Sequence, residues 1–133
     1  MKIKKINDEL SVADQITPKD IAYISKAGFK SLICNRPDGE VAGQPAFKDI
    51  EQAAGKANLP IRYLPAVSGA VTPELGQEFG KILEELPKPV LAYCRSGMRC
   101  TTLWALSNAK TMDRAFLVQT AANAGYDISA ISL

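Results

Sequence analysis

Val90-Leu91-Ala92-Tyr93 is a run of four apolar residues between a proline, Pro89, and the polar stretch Cys94-Arg95-Ser96-Gly97-Met98-Arg99. A strand with no polar residue on either side of its pleat must be covered on both faces. That requirement calls for a largely parallel sheet with helices above and below it. The rest of the chain can supply them. Leu10 to Ile16, Phe29 to Cys34 and Ile61 to Val67 read as further strands. Thr17-Pro18 opens a helix, with Asp20 placed as in a capping box and Gly28 at its end. Ala46 to Asn58 carries Phe47, Ile50, Ala53, Ala54 and Ala57 at helical spacing. Thr72-Pro73 opens a third helix with Leu75, Phe79, Ile82, Leu83 and Leu86 on one face. Cys100 to Ala109 and Thr111 to Gly125 complete the set. The order is roughly βαβαβαβαα. It describes an α/β fold with a mainly parallel sheet flanked by helices, in a single domain over residues 1–133.

Composition narrows the chemistry. There is no histidine among the 133 residues. Serine–histidine triads, cysteine–histidine proteases and histidine-ligated metal sites are excluded. Cys34, Cys94 and Cys100 are too few for a disulfide scaffold and make a poor zinc site, so neither metal nor cofactor is expected. The 16 basic and 14 acidic residues nearly balance, which gives no footing for nucleic-acid binding as the main role. No stretch approaches the ~18 apolar residues of a membrane span. MKIKKINDEL has no apolar core behind its basic residues, so a cytoplasmic chain without a secretory signal is expected. Oligomeric state stays open.

Ligands of such folds bind beyond the carboxyl ends of the strands. Two polar loops leave strands at that edge, after Cys34 and after Tyr93. The second carries a nucleophile. Strand Val90–Tyr93 delivers Cys94 to a turn that runs into a helix N-terminus. Loop amides and the helix dipole favour an anion there. Arg95 and Arg99 add full positive charge, and Gly97 lets the backbone turn tightly. A thiol in such a setting falls below its free pKa of about 8.5. Cys94 is therefore the candidate nucleophile and Arg99 its catalytic partner. Arg95, Ser96, Gly97, Met98 and Arg99 form the anion-binding loop.

The sequence C-R-S-G-M-R resembles the active loop of single-domain rhodaneses and a shortened cysteine-phosphatase signature. From about Ser11 to Ala109, the chain resembles the phosphatase-like domain of beta-lactamase-hydrolase-like proteins. The stretches ITPKDIAYISKAGFKSLICNRPDGE, the loop after LPAV, and VLAYCRSGMRCTTLWAL carry the resemblance. It implies a compact fold like that of dual-specificity phosphatases, with Cys94 as nucleophile. Members of that family are described both as phosphatase-like and as sulfurtransferases, some fused to a persulfide dioxygenase. This chain, lacking a metal domain, is expected to be a stand-alone form.

Three features separate the two activities. Cysteine phosphatases use C-x5-R, whereas Arg99 lies five positions after Cys94 and Cys100 occupies the next position. A six-residue ring suits a persulfide sulfur better than a phosphoryl group. Phosphatases also protonate the leaving oxygen with an aspartic acid from another loop, yet Leu64 to Val71 holds no carboxylate. Tyr93 stands where phosphatases usually have histidine. The expectation is therefore a rhodanese-type sulfurtransferase. Its Cys94 thiolate takes sulfane sulfur from thiosulfate or a low-molecular-weight persulfide, and a thiol acceptor or cyanide removes it. The alternative is a protein-tyrosine or dual-specificity-like phosphatase acting through a Cys94 phosphocysteine on a phosphoester. A third reading is a non-catalytic module that binds an anion or a persulfide.

Second-rank residues lie around this loop. Arg36 is placed to bind an anionic substrate and Asp38 to act as acid; Asp38 and Glu40 reach the site only if the Asn35–Pro45 loop folds over it. Cys100 and Thr101 stand where a thiolate-binding hydroxyl is usual. Cys100 and Cys34 are both candidates to form a disulfide with Cys94, weighed against plain core roles. Trp104 reads as core.

Overall fold

The structure, a computed structural model, describes all residues 1–133. Five strands, β1 (Ile3–Lys5), β2 (Leu10–Ala13), β3 (Ser31–Cys34), β4 (Ile61–Tyr63) and β5 (Val90–Tyr93), form one sheet in the order β1-β2-β5-β3-β4. All neighbours are parallel except β1 and β2. The wholly apolar strand β5 lies at the centre, paired with β2 on one side and β3 on the other. Its central place explains why it carries no polar side chain.

The helices cover both faces. Helices α1 (Ile21–Lys26) and α2 (Phe47–Lys56) lie on one side. Ile21, Ile24 and Ile50 pack there with Leu32, Leu91 and Tyr93. Helices α3 (Pro73–Glu85), α4 (Met98–Asn108) and α5 (Arg114–Asn123) cover the other side. Phe79, Leu103 and Leu117 meet Val12, Ile33 and Ala92 in that second core. The pleat sorts the strand residues strictly. Val90, Ala92 and Cys94 belong to the α3–α5 side, while Leu91, Tyr93 and Cys34 belong to the α1–α2 side. Helix α4 is buried along Cys100 to Ala105 because the sheet, α3 and α5 enclose it. It packs tightly on α3: a Cβ on Gly76 would come within 2.5 Å of the Leu106 Cβ.

Several boundaries depart from the sequence expectations. Strand β1 was not anticipated. Its Ile-Lys-Lys sequence exposes two lysines, as an edge strand does, and so lacks the apolar run that marks a central one. The hairpin to β2 closes through Asn7, whose side chain accepts from the amides of Glu9 and Leu10 at 2.9 Å. The strand expected over Leu10 to Ile16 ends at Ala13. The one expected over Ile61 to Val67 is regular strand only to Tyr63, although the Leu64 and Ala66 amides still donate to the Cys34 and Asn35 carbonyls at 2.9 Å. Thr17-Pro18 opens a single 3-10 turn, Pro18–Asp20, before α1; the Asp20 carboxylate accepts from the Thr17 amide at 2.8 Å. Helix α4 begins at Met98, two residues before the expected Cys100, and α5 begins only at Arg114. No helix is long and apolar enough to cross a membrane.

Candidate active site

The carboxyl ends of β2, β3, β4 and β5 share one edge, and the loops leaving them meet around Cys94. Strand β5 places Cys94 at the foot of α4, 1% exposed. Gly97, with φ +95°, turns the chain so that its amide donates to the Cys94 sulfur at 3.1 Å. A side chain is excluded there twice over. The φ is left-handed, and a Cβ would sit 2.2 Å from the Tyr126 hydroxyl. That hydroxyl donates to the Ser96 carbonyl at 2.9 Å, so the residue after α5 clamps the loop from outside.

The Cys94 thiol is lowered to about pKa 5. The neighbouring Cys100 thiol is the largest cause, and the amides of Cys100, Ser96 and Gly97 lower it further against the opposing effect of burial. Cys100 is held in its neutral form by complete burial and by the Cys94 thiolate beside it. The Thr101 hydroxyl does not serve the sulfur; it donates to the Gly97 carbonyl at 2.8 Å, inside the helix. Cys100 thus takes the place where a hydroxyl is usual, one residue before the threonine. Cys34 is separate. It faces the opposite side of the sheet with Tyr93, bonds the Arg36 carbonyl at 3.4 Å, and is pushed by burial up to about pKa 11.

The Asn35–Pro45 loop does fold over the site, and Glu40 makes the contact. Its carboxylate takes the Arg99 guanidinium end-on, with Nη1 at 2.7 Å from Oε2 and Nη2 at 2.8 Å from Oε1. Arg99 Nη1 also donates to the Ala66 carbonyl at 2.9 Å, tying in the loop after β4. Arg36 lies behind, 4% exposed. Its Nε donates to Glu40 Oε1 at 2.8 Å and its Nη1 to Gln15 Oε1 at 3.0 Å. Arg36 therefore supports Glu40 and is turned away from any approaching ligand. Two guanidiniums, Arg99 first, hold the Glu40 carboxyl down at about pKa 2. Asp38 is engaged elsewhere: its carboxylate accepts from the Phe47 amide at 2.8 Å, at the start of α2. Arg95 and Ser96 are exposed on the outer side of the loop, and Met98 packs partly against the α3–α5 core. Trp104, 2% exposed, is core. No three His, Cys, Asp or Glu side chains gather as a metal site requires.

The sequence singles out Cys94 and its loop but not two residues that the structure sets against them, Glu40 and Tyr126. Glu40 was visible as a carboxylate in a polar loop, with nothing to mark it above Asp38. Tyr126 had no signal, because only the fold carries it back over Gly97.

Residues 2–111 match the model of the family described as "Beta-lactamase hydrolase-like protein, phosphatase-like domain". A beta-lactamase hydrolase-like protein of Agrobacterium fabrum is 37% identical over 109 residues, 82% of this chain. The chain spans about a quarter of that relative's length. A solved structure from Neisseria meningitidis, described as a candidate phosphatase, superposes with a TM-score of 0.88 at 32% identity, covering 98% of this chain and 93% of its own. The kinase-associated phosphatase shares the fold, with a TM-score of 0.75 at 12% identity over 94% of this chain and 84% of its own.

These findings overturn the expectation of a rhodanese-type sulfurtransferase, for both the family and the Neisseria relative are described in phosphatase terms. The C-x4-R spacing sets the ring by the position of Arg99 alone. Helix α4 starts at Met98, and the Cys100 thiol and amide both contribute to lowering the Cys94 thiol, so the residues that act on the sulfur extend past the arginine. By sequence and by fold, the chain belongs to the phosphatase-like domains of beta-lactamase hydrolase-like proteins.

Proposed function

We propose that the protein is a cysteine-dependent phosphatase acting on phosphomonoesters with good leaving groups, aryl phosphates above all. The Cys94 thiolate carries the reading: a sulfur lowered to about pKa 5 at the mouth of a helix, facing amides that can hold phosphoryl oxygens. In the first step the sulfur attacks phosphorus and the P–O bond to the leaving group breaks, giving a phosphocysteine. In the second, water attacks that phosphorus and releases phosphate, returning the thiolate. The loop amides and Arg99 stabilise the charge on the equatorial oxygens in both transition states.

Glu40 supports this role of Arg99 through geometry. It occupies the two terminal nitrogens end-on and leaves the side-on fork, Nε–H with the outer Nη2–H, without a partner in the protein. A side-on fork can grip two phosphoryl oxygens at once. Glu40 is thereby a positioning residue.

The leaving-group preference follows from what surrounds the sulfur. Glu40 stays ionised to about pH 2 and cannot donate a proton. Asp38 is tied to the α2 amide, and the Leu64–Val71 loop has no carboxylate. A phenolate departs without an acid; an alkoxide does not. The test is release of phosphate from 4-nitrophenyl phosphate and from an alkyl phosphate such as glycerol phosphate, with Cys94→Ser alongside. Aryl turnover is expected at least about 100-fold above alkyl turnover, abolished in the variant, with one phosphoryl group gained on Cys94 in acid-quenched wild-type protein. Phosphate binding without aryl turnover would reduce the domain to an anion-binding module.

A further inference from the structure

Cations on two sides of the Cys94 loop are treated differently. Arg36 and Arg99 share Glu40. On the opposite side, the side chains of Lys2, Lys4 and Arg95 make no ion pair or hydrogen bond within the protein, yet they line one cavity of about 360 Å³. The pleat of β1 explains the placement of the lysines. Ile3 packs into the α1–α2 core, so Lys2 and Lys4 rise on the other face, the face that Cys94 shares. Lys4 pairs with Val12, whose side chain belongs to the same α3–α5 side as Cys94.

The cavity is continuous with the loop. Arg95 and Ser96, which follow Cys94 directly, form one wall, and Tyr126 closes it. Asp14 is the one carboxylate that lines it, and its Oδ1 accepts from the Lys2 amide at 2.8 Å. Three cations set against one anion leave a net double positive charge. A phosphoryl group, with its −1.5 to −2 charge near pH 7, matches it.

We propose that this cavity is a subsite for a second phosphoryl group on the substrate, beside the one that Cys94 attacks. The inference rests on the phosphatase reading for the role of the loop, but the subsite is a statement about binding and is testable without turnover. Arg95 offers a planar fork and the lysines two mobile point charges, so the subsite accepts phosphoryl groups at more than one orientation. Among phosphomonoesters with like leaving groups, selection then comes from the number of phosphoryl groups and their spacing.

Calorimetry with the Cys94→Ser protein separates the two claims. The probes are alkane-α,ω-bisphosphonates of two to six carbons, each against the alkylphosphonate of equal length. At one spacer length the bisphosphonate is expected to bind about tenfold or more tightly than its partner, well beyond the twofold statistical gain of a symmetric ligand. In a Cys94→Ser protein that also carries Lys2→Gln and Lys4→Gln, that advantage is expected to fall to about twofold while alkylphosphonate affinity is kept. Both lysines are exposed, and an unchanged melting temperature checks that the fold is retained. Bisphosphonates no better than their partners at every length, or an advantage that survives the lysine substitutions, would overturn the subsite. Turnover of 4-nitrophenyl phosphate by wild-type protein is scored separately. Its absence sinks the phosphatase reading and leaves a bisphosphonate advantage, if found, as proof of the site.

Discussion

Arg99 and Glu40, 59 residues apart in the chain, are joined by two parallel hydrogen bonds of 2.8 and 2.7 Å. The pair fastens the β3 loop to the first turn of α4 and leaves one edge of the guanidinium open. Replacing Glu40 by alanine removes the tether and strands Arg36, which is 4% exposed, without its anionic partner. A loss of about 3 kcal/mol is expected in denaturant unfolding. Glu40→Gln keeps an acceptor and is expected to fold, but with kcat/KM for 4-nitrophenyl phosphate reduced about tenfold as Arg99 loses its fixed orientation. Equal activity in Glu40→Gln and wild type would deny Glu40 any positioning role.

The same carboxylate makes stability depend on acid. Glu40 has its folded pKa lowered from 4.5 to about 2. Its contribution is therefore complete above the unfolded value and is lost as pH falls from about 4.5 toward 2. Melting temperatures of wild type and Glu40→Gln, measured from pH 6 down to pH 2, are expected to converge over that window. A constant gap would mean that the ion pairs contribute nothing.

For Cys94 the measurable quantity is thiolate formation. Alkylation by iodoacetamide is expected to rise with pH to half its maximum near pH 5 and to be flat at neutral pH. Cys100→Ala removes the largest stabilising contact and is expected to move that midpoint upward, with Cys100→Ser, which keeps a donor, falling between. A midpoint unmoved in Cys100→Ala would assign the lowered pKa to the backbone alone.

Gly97→Ala combines a left-handed φ with a clash against Tyr126. It is expected to destabilise the domain by at least about 1–2 kcal/mol and to raise the Cys94 midpoint, because the Gly97 amide can no longer reach the sulfur. Tyr126→Phe relieves nothing at Gly97 but loses the bond to Ser96, and a cost near 1 kcal/mol is expected. Both costs are read from urea midpoints.

Asp38 offers a sharper contrast. As a remote cap on the Phe47 amide, it is replaceable by asparagine with little change in stability or rate, whereas Asp38→Ala is expected to cost about 1 kcal/mol. A collapse of the rate in Asp38→Asn with stability intact would instead make Asp38 the acid.

Much of this architecture is legible locally. Val90–Tyr93, with no polar residue, announces a central strand, and Thr72-Pro73 announces a helix start whose Thr72 hydroxyl does accept from the Leu75 amide. Cys94 and its loop are legible because a cysteine, two arginines and a glycine sit within six residues. What escapes is whatever depends on distant segments meeting. Strand β1 carries a single core-facing residue, Ile3, Tyr126 returns to Ser96 after thirty residues, and Glu40 rather than Asp38 finds Arg99. The C-x4-R spacing misled for a related reason, since counting residues does not show where a helix begins.

The central position of β5 has a temporal side. The strand that is synthesised last occupies the middle of the sheet, and its two neighbours cannot be bridged until residues 90–93 arrive. Without residues 90–93, β2 and β3 have no strand between them to pair with. Closing that gap and creating the cradle around Cys94 are one event. Before it, the sulfur is an ordinary thiol with the free pKa of about 8.5; after it, the loop lowers that value to about 5. The strongly ionised form of Cys94 therefore belongs to molecules in which β5 has taken its place in the sheet.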